Sequence, residues 1–196
     1  MINGGSMDII GMVSVILGVY NCEKTIRESI DSIVNQTYKN WELIICDDYS
    51  NDNTYKIIKE YEKLYKDKII VIRNERNLTL GPTLNKCLKL ARGQYIARQD
   101  ADDISASDRF EKQVKFLDEN KDINLIGTSL KLFDEKGFYG ERIIKDKPQK
   151  KDLMKGVTFA HATIMVRTEV YKKLKGYNES KEIIGAEDYE LWFRFF

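Results

Sequence analysis

Apolar residues change their period repeatedly along the first half of the chain. Val13-Ser14-Val15-Ile16-Leu17 is a β-branched run ended by Gly18, the pattern of a parallel strand covered on both faces. Ile26, Ile30, Ile33 and Val34 then recur at helical spacing, with Asn21 as the expected cap. Trp41 to Cys46 reads as a second strand that stops at Asp47-Asp48. The turn Ser50-Asn51-Asp52-Asn53 opens another helical pattern, Ile57, Ile58, Tyr61, Leu64 and Tyr65, followed by a strand from Ile69 to Ile72. Pro82 starts a helix bearing Leu84, Cys87, Leu88 and Ala91, which Gly93 is expected to close, and Gln94 to Arg98 is the next strand.

Such alternation predicts an α/β fold: a doubly wound, mostly parallel central sheet with helices on both faces. Ligands of open α/β sheets bind beyond the carboxyl ends of the strands, where Tyr20, Asp48 and Asp102 all fall. The second half is less regular. Ser107 is placed to cap a helix with Phe110, Val114 and Leu117 inward, Ile123 to Phe133 alternates as a strand, and Glu135-Lys136-Gly137 turns it. Phe138 to Gln149 reads as a surface loop, Asp152 to Lys155 as a short helix, Val157 to Val166 as a strand carrying His161, and Tyr189 to Phe196 as a helix. That last helix has apolar residues and no stop signal at its end, so the expectation is a single domain over 12–196 truncated at its C-terminus, with 1–11 as a leader or cloning scar.

Composition narrows the partners. The balance of 32 Lys+Arg against 31 Asp+Glu gives a net charge of +1, which offers no field to recruit nucleic acid. Cys22, Cys46 and Cys87 form no C-x-x-C and His161 is the only histidine, so neither a disulfide framework nor a zinc site is supported. The apolar run from Ile9 to Val19 is too short to span a bilayer, and a cytoplasmic location is expected.

Candidate chemistry centres on Asp100-Ala101-Asp102-Asp103, at the exit of a strand. Carboxylates this close repel one another unless a cation or protons neutralise them, which points to a hard divalent metal and, through it, to a phosphorylated ligand. An Asp-rich turn is the plainer alternative, because Asp bonds its own backbone in tight turns. A calcium loop from Asp100 to Glu111 fails where Ser105 replaces the required Gly and Ile104 a ligand. The Gly-rich fingerprints of dinucleotide-binding enzymes and NTPases are lacking.

Three segments, Val13-Ser14-Val15-Ile16 to Tyr20-Asn21, Glu42 to Thr54 and Ala91 to Asp103, together resemble the family 2 glycosyltransferases of the GT-A fold. The resemblance extends to Arg109-Phe110-Glu111-Lys112-Gln113, to Phe159-Ala160-His161 with Met165-Val166-Arg167, and to Gly185-Ala186-Glu187-Asp188-Tyr189-Glu190-Leu191-Trp192. It implies an inverting transferase that moves a sugar from a nucleotide donor of the UDP-hexose or UDP-N-acetylhexosamine kind. The acceptor it implies is a glycan or lipid-linked glycan hydroxyl in bacterial surface polysaccharide synthesis. The nucleotide-binding half would be 12–104, and 105–196 would hold the acceptor and catalytic base.

By the same resemblance, Asp102 would bind Mn²⁺ or Mg²⁺ against the diphosphate, with Asp100 towards the ribose, Asp103 in support, and His161 as a further metal or acceptor contact. Asp48 would accept a hydrogen bond from the uracil, Tyr20 would flank it, Ala101 would belong to the nucleotide-sugar site, and Arg98, Arg109 and Gln113 would touch the diphosphate or support the groups that do, with a solvated face as the plainer reading of an Arg at a strand end. Asp188, with Glu187, would be the base that deprotonates the acceptor. Plainer alternatives stand beside these: turn residues for Asp47-Asp48, a helix-dipole complement for Glu187-Asp188, packing for Tyr20, and a core residue for His161. Gly18 stands where many relatives have Pro. Rival functions are a nucleotide-sugar binding module without turnover and a metal-dependent phosphatase with an aspartate nucleophile. Any membrane contact, at the inner face, is expected to be peripheral and to involve the missing C-terminal part.

Overall fold

β1 (Ile9–Val19) runs through the middle of a six-stranded sheet and divides its side chains between two cores. The computed structural model describes residues 8–154 and 159–196. Val13, Val15 and Leu17 pack with α1 (Ile26–Val34), and Ile16 faces the opposite core. β2 (Trp41–Asp47), α2 (Thr54–Leu64), β3 (Ile69–Arg73), α3 (Leu80–Leu90) and β4 (Gly93–Arg98) complete the alternating half. α4 (Arg109–Glu119) joins α1 and α2 on the first face through Phe110, Val114 and Leu117.

The chain then supplies β5 (Leu125–Ile126), β6 (Leu130–Asp134), β7 (Gly137–Arg142), α5 (Lys150–Leu153), β8 (Met165–Arg167), α6 (Thr168–Leu174) and α7 (Glu187–Phe195). Strand order is β3-β2-β1-β4-β8-β5. The first four strands are mutually parallel, with Val13 opposite Trp41 on one side and Tyr95 on the other, and β8 pairs antiparallel with both β4 and β5. α3, α6 and α7 cover the second face through Leu84, Tyr171, Leu191 and Trp192. Burying such aliphatic and aromatic side chains contributes roughly 1.5–3 kcal/mol each before conformational entropy is counted.

Several local expectations are corrected. Asn21 is not the cap of α1, which starts after Thr25; it sits at φ 49° and its Oδ1 accepts from Asn51 N–H at 2.8 Å. α4 begins after Asp108 rather than Ser107. Leu64 closes α2 facing solvent at 75% exposure, and Tyr65, just past the helix end, takes the inward place. Gly93 does not close α3, which ends at Leu90; it is the first residue of β4 and is needed for close approach. A Cβ there would stand 2.5 Å from the Met12 carbonyl oxygen.

The predicted strand from Ile123 to Phe133 is two strands on different sheets. β5 extends the central sheet, whereas β6 pairs only with β7 in a hairpin that occupies part of the expected loop 138–149. Of the predicted strand 157–166, residues 157 and 158 lie outside the described residues, as does Lys155 of the short helix. His161–Thr163 form a 3₁₀ turn, where Thr163 Oγ1 donates to the Ala160 carbonyl at 2.9 Å, and only Met165–Arg167 are strand. Among the described residues no helix is long and apolar enough to cross a membrane.

Candidate active site

A two-lobed cleft opens at the carboxyl ends of the parallel strands. Its smaller lobe, about 180 Å³, is lined by Asp48, Asn77, Thr79 and Thr83, and the larger, about 540 Å³, by Arg98, Asp100, Ala101, Asp102 and Asp52. Gly18, Tyr20 and Leu80 belong to both. A side chain at Gly18 would crowd this junction, because its Cβ would meet Leu80 Cδ1 at 3.1 Å and Thr83 Cγ2 at 3.3 Å. Two lining residues, Asn21 and Thr79, have φ of 49° and 73°, and Tyr49, directly after Asp48, has φ of 67°, positions that non-glycine residues hold only when neighbours fix them.

Asp48 is what fixes the Thr79 segment. Its Oδ1 accepts from Asn74 Nδ2 and Leu78 N–H, both at 2.7 Å, and its Oδ2 accepts from Thr79 N–H at 2.9 Å. An ionised carboxylate has about four acceptor sites, so one remains for a ligand N–H. Asn74 also donates to Thr83 Oγ1 at 2.9 Å and so ties the end of β3 to α3. Sequence reading passed over Asn74; its only signal is its place directly after a strand.

Gln99 anchors the acidic segment from below. Its buried amide nitrogen donates to the Asp103 carbonyl at 2.7 Å and Ser29 Oγ at 3.1 Å, and its oxygen accepts from Ser105 Oγ and Arg109 Nη1 at 2.7 and 3.1 Å. Arg109 spends every N–H inside the protein: on Gln113, Gln99, Ser105 and the carbonyls of Arg98 and Ile164. That leaves no donor for a diphosphate, so of the two roles expected for Arg109 its geometry suits the supporting one. Gln113 is buried as well, donating to the Thr163 carbonyl at 2.8 Å. Both residues brace the loop instead of touching a ligand.

Arg98 is 1% exposed, pairs through Nη2 with Asp100 Oδ1, and keeps a buried Nε with no partner. Beside it the Asp103 carboxyl is pushed up to about 6, first by burial and then by the charges of Asp100 and Asp102. Asp188 accepts from Tyr189 N–H at 2.8 Å, and its pKa is raised by burial, with the charges of Glu187 and Asp100 adding to the effect. Glu187 is buried against the first turn of α3, where a Cβ on Gly81 would lie 3.4 Å from its Cγ. Burial, then the Arg98 cation, pull the His161 pKa down to about 3.

The fold thus brings Tyr20, Arg98, Asp100, Ala101 and Asp102 onto one lobe and Asp48 onto the other. Glu187, Asp188 and His161 line neither lobe, although Asp188 and His161 are close enough to feel the Asp100 charge. Among the described residues no three His, Cys, Asp or Glu side chains are arranged to hold a metal unaided. Mg²⁺-type sites usually take one or two carboxylates and complete their shell with substrate phosphates and water. Asp100 and Asp102 at an open cleft, beside an Asp103 carboxyl whose pKa burial and their own charges raise to about 6, suit that arrangement.

The mostly parallel six-stranded sheet, with the carboxylate cluster at the end of β4, has the GT-A fold of its structural neighbours. Residues 14–175 match the family described as Glycosyl transferase family 2, and the chain belongs to that family. It is 50% identical over 184 residues to EpsE of Bacillus subtilis, a protein assigned as a glycosyltransferase, covering 94% of this chain and 66% of that one. It is 33% identical over 181 residues to the Escherichia coli UDP-Glc:alpha-D-GlcNAc-diphosphoundecaprenol beta-1,3-glucosyltransferase WfaP, covering 92% and 68%. The crystal structure of S. aureus TarS in complex with UDP superposes with a TM-score of 0.72 at 25% identity, over 91% of this chain and 53% of that one. The chain spans just under two thirds of EpsE.

Proposed function

We propose that the chain transfers a sugar from a nucleoside diphosphate donor, of the UDP-hexose or UDP-N-acetylhexosamine kind, to a glycan hydroxyl with inversion. The observation that carries this reading is the two-lobed cleft, with a buried, nearly saturated Asp48 at one end and Arg98, Asp100 and Asp102 at the other. Asp48 offers its remaining acceptor site to a base N–H, and Tyr20 flanks the base. Asp102 and Asp100, with Asp103 behind them, would hold Mn²⁺ or Mg²⁺, which when bound supplies positive charge to the departing diphosphate. Asp188 takes the proton of the acceptor hydroxyl as the new C–O bond forms and the anomeric bond to the diphosphate breaks. A carboxyl raised towards neutrality is better matched to that task than an ordinary one. Because WfaP is named for a lipid-linked acceptor, an acceptor of that kind at the inner face of the membrane is the fitting class.

Two variants separate binding from transfer. Asp188→Asn is expected to bind UDP-sugar with Mn²⁺ normally and to lose transfer by about 10²–10⁴-fold, whereas Asp102→Asn loses metal-dependent binding. Normal transfer by Asp188→Asn would remove the base assignment. Wild-type binding with no transfer to any acceptor would favour a binding module.

A further inference from the structure

His161 sits in a box of aromatic rings. Tyr177 and Trp192 meet the imidazole edge-on, with ring centres 5.6 and 6.0 Å away. Its Nε2 is 2.8 Å from the Tyr177 hydroxyl oxygen, which is 2.9 Å from the Tyr171 hydroxyl oxygen. Both tyrosines are buried. The Tyr177 backbone is fixed in turn by Asn85, whose Nδ2 donates to the Tyr177 carbonyl at 2.9 Å and whose Oδ1 accepts the Tyr177 N–H at 2.8 Å.

Protons can run along this chain in two directions. If His161 donated from Nε2 to Tyr177 and Tyr177 to Tyr171, the Tyr171 hydroxyl would be left with a buried hydrogen and no acceptor among the described residues. If Tyr171 donates to Tyr177 and Tyr177 to His161 Nε2, both buried hydroxyl hydrogens are used and the one hydrogen left over is the Nδ1–H of a partly exposed ring. A hydrogen without a partner costs less on a partly exposed ring than on a buried hydroxyl, so the second direction is favoured.

We propose that Tyr177 holds His161 as the Nδ1–H tautomer, so that His161 serves the site as a hydrogen-bond donor to a ligand oxygen and not as a metal ligand. A metal ligand needs a free ring lone pair; here the lone pair is on Nε2 and is occupied by the Tyr177 O–H. The depressed pKa agrees with a ring that stays neutral at physiological pH. The oxygen belongs to the donor or the acceptor, the two polar ligands of the proposed transfer. That role rests on the transferase reading, but the tautomer does not.

His161 is the only histidine, so ¹⁵N-histidine labelling of the chain gives a single pair of ring signals in NMR. The expected spectrum has a pyridine-type Nε2 and a pyrrole-type Nδ1 without any ligand, and a pyrrole-type Nε2 would overturn the proposal. Tyr177→Phe is expected to mix the tautomers and lower kcat roughly 10-fold, the scale of one lost hydrogen bond. In a His161→Asn background, where the amide can stand in for the Nδ1 donor, the same Tyr177→Phe change is expected to have no further effect. An equal loss in both backgrounds would mean that Tyr177 acts independently of His161 and would also overturn it. A rise in KM for the nucleotide sugar in His161→Gln places the oxygen on the donor, and a rise for the glycan places it on the acceptor. If neither KM nor kcat changes in His161→Gln, the donor role is wrong even where the tautomer is right. If Tyr177→Phe does not fold, the wild-type spectrum still decides the tautomer.

Discussion

Arg109→Lys isolates the bracing of the acidic segment. The guanidinium makes five internal hydrogen bonds, to Gln113, Gln99, Ser105 and the carbonyls of Arg98 and Ile164, at 2.8–3.1 Å. An ammonium has three N–H groups and no planar fork, so at least two of these five hydrogen bonds are lost. At about 1.5–3 kcal/mol for each hydrogen bond from a charged group, the variant loses roughly 3–6 kcal/mol. Urea unfolding followed by circular dichroism reads this as a lower midpoint with an unchanged slope. For a chain of this size, a loss of about 3 kcal/mol lowers Tm by roughly 6–12 °C. Mn²⁺-dependent binding of UDP should weaken too, because Gln99 would no longer be held against Ser105 and the Asp103 carbonyl. Stability within about 0.5 kcal/mol of wild type, the range of inert surface changes, would refute the bracing role. Full stability with lost UDP affinity would instead put Arg109 on the diphosphate, against its saturated geometry.

Two further outcomes are expected. Asp48→Asn turns one acceptor oxygen into an amide that faces N–H donors, so calorimetry should show UDP affinity reduced at least about 10-fold, the cost of one misplaced buried polar group; unchanged affinity would contradict the role of the Thr79 segment. Asp103 has a folded pKa of about 6, above the usual carboxylate value, so the folded chain holds this proton more tightly than the unfolded one. Its contribution to stability is therefore full below the ordinary carboxylate pKa and is lost as pH rises through about 6. Mg²⁺ with UDP should then raise Tm more at about pH 7.5 than at about pH 5, where a proton competes with the cation. An equal shift at both would separate Asp103 from the metal.

Half of the molecule was legible because its strands are buried on both faces. Val13 to Leu17 carry a pattern that only a central parallel strand uses, and Asp48 and Asp102 follow such strands directly, so their convergence was readable from chain order. The later strands gave a false period. β5 and β6 are short neighbours in sequence on different sheets, and the Gly127-Thr128-Ser129 break between them looks apolar-alternating on both sides. His161 sits in a turn made by the local bond of Thr163, which competes with strand formation without altering the hydropathy. Gly93 read as a helix stop because its real cause, the Met12 carbonyl on the neighbouring strand, is a long-range contact. The roles of Arg109, Gln99 and Asn74 depend on which acceptors their donors reach, and residue type alone does not reveal that.

A metal-bridged nucleotide sugar in the cleft between Asp48 and Asp102 is tested most directly by calorimetric titration of UDP-sugar into the protein, with Mn²⁺ and with EDTA. Binding with Mn²⁺ that weakens at least about 10-fold in EDTA, and weakens as much in Asp102→Asn with Mn²⁺ present, is the expected result. Equal affinity with and without metal, or undiminished metal-dependent binding by Asp102→Asn, would contradict it.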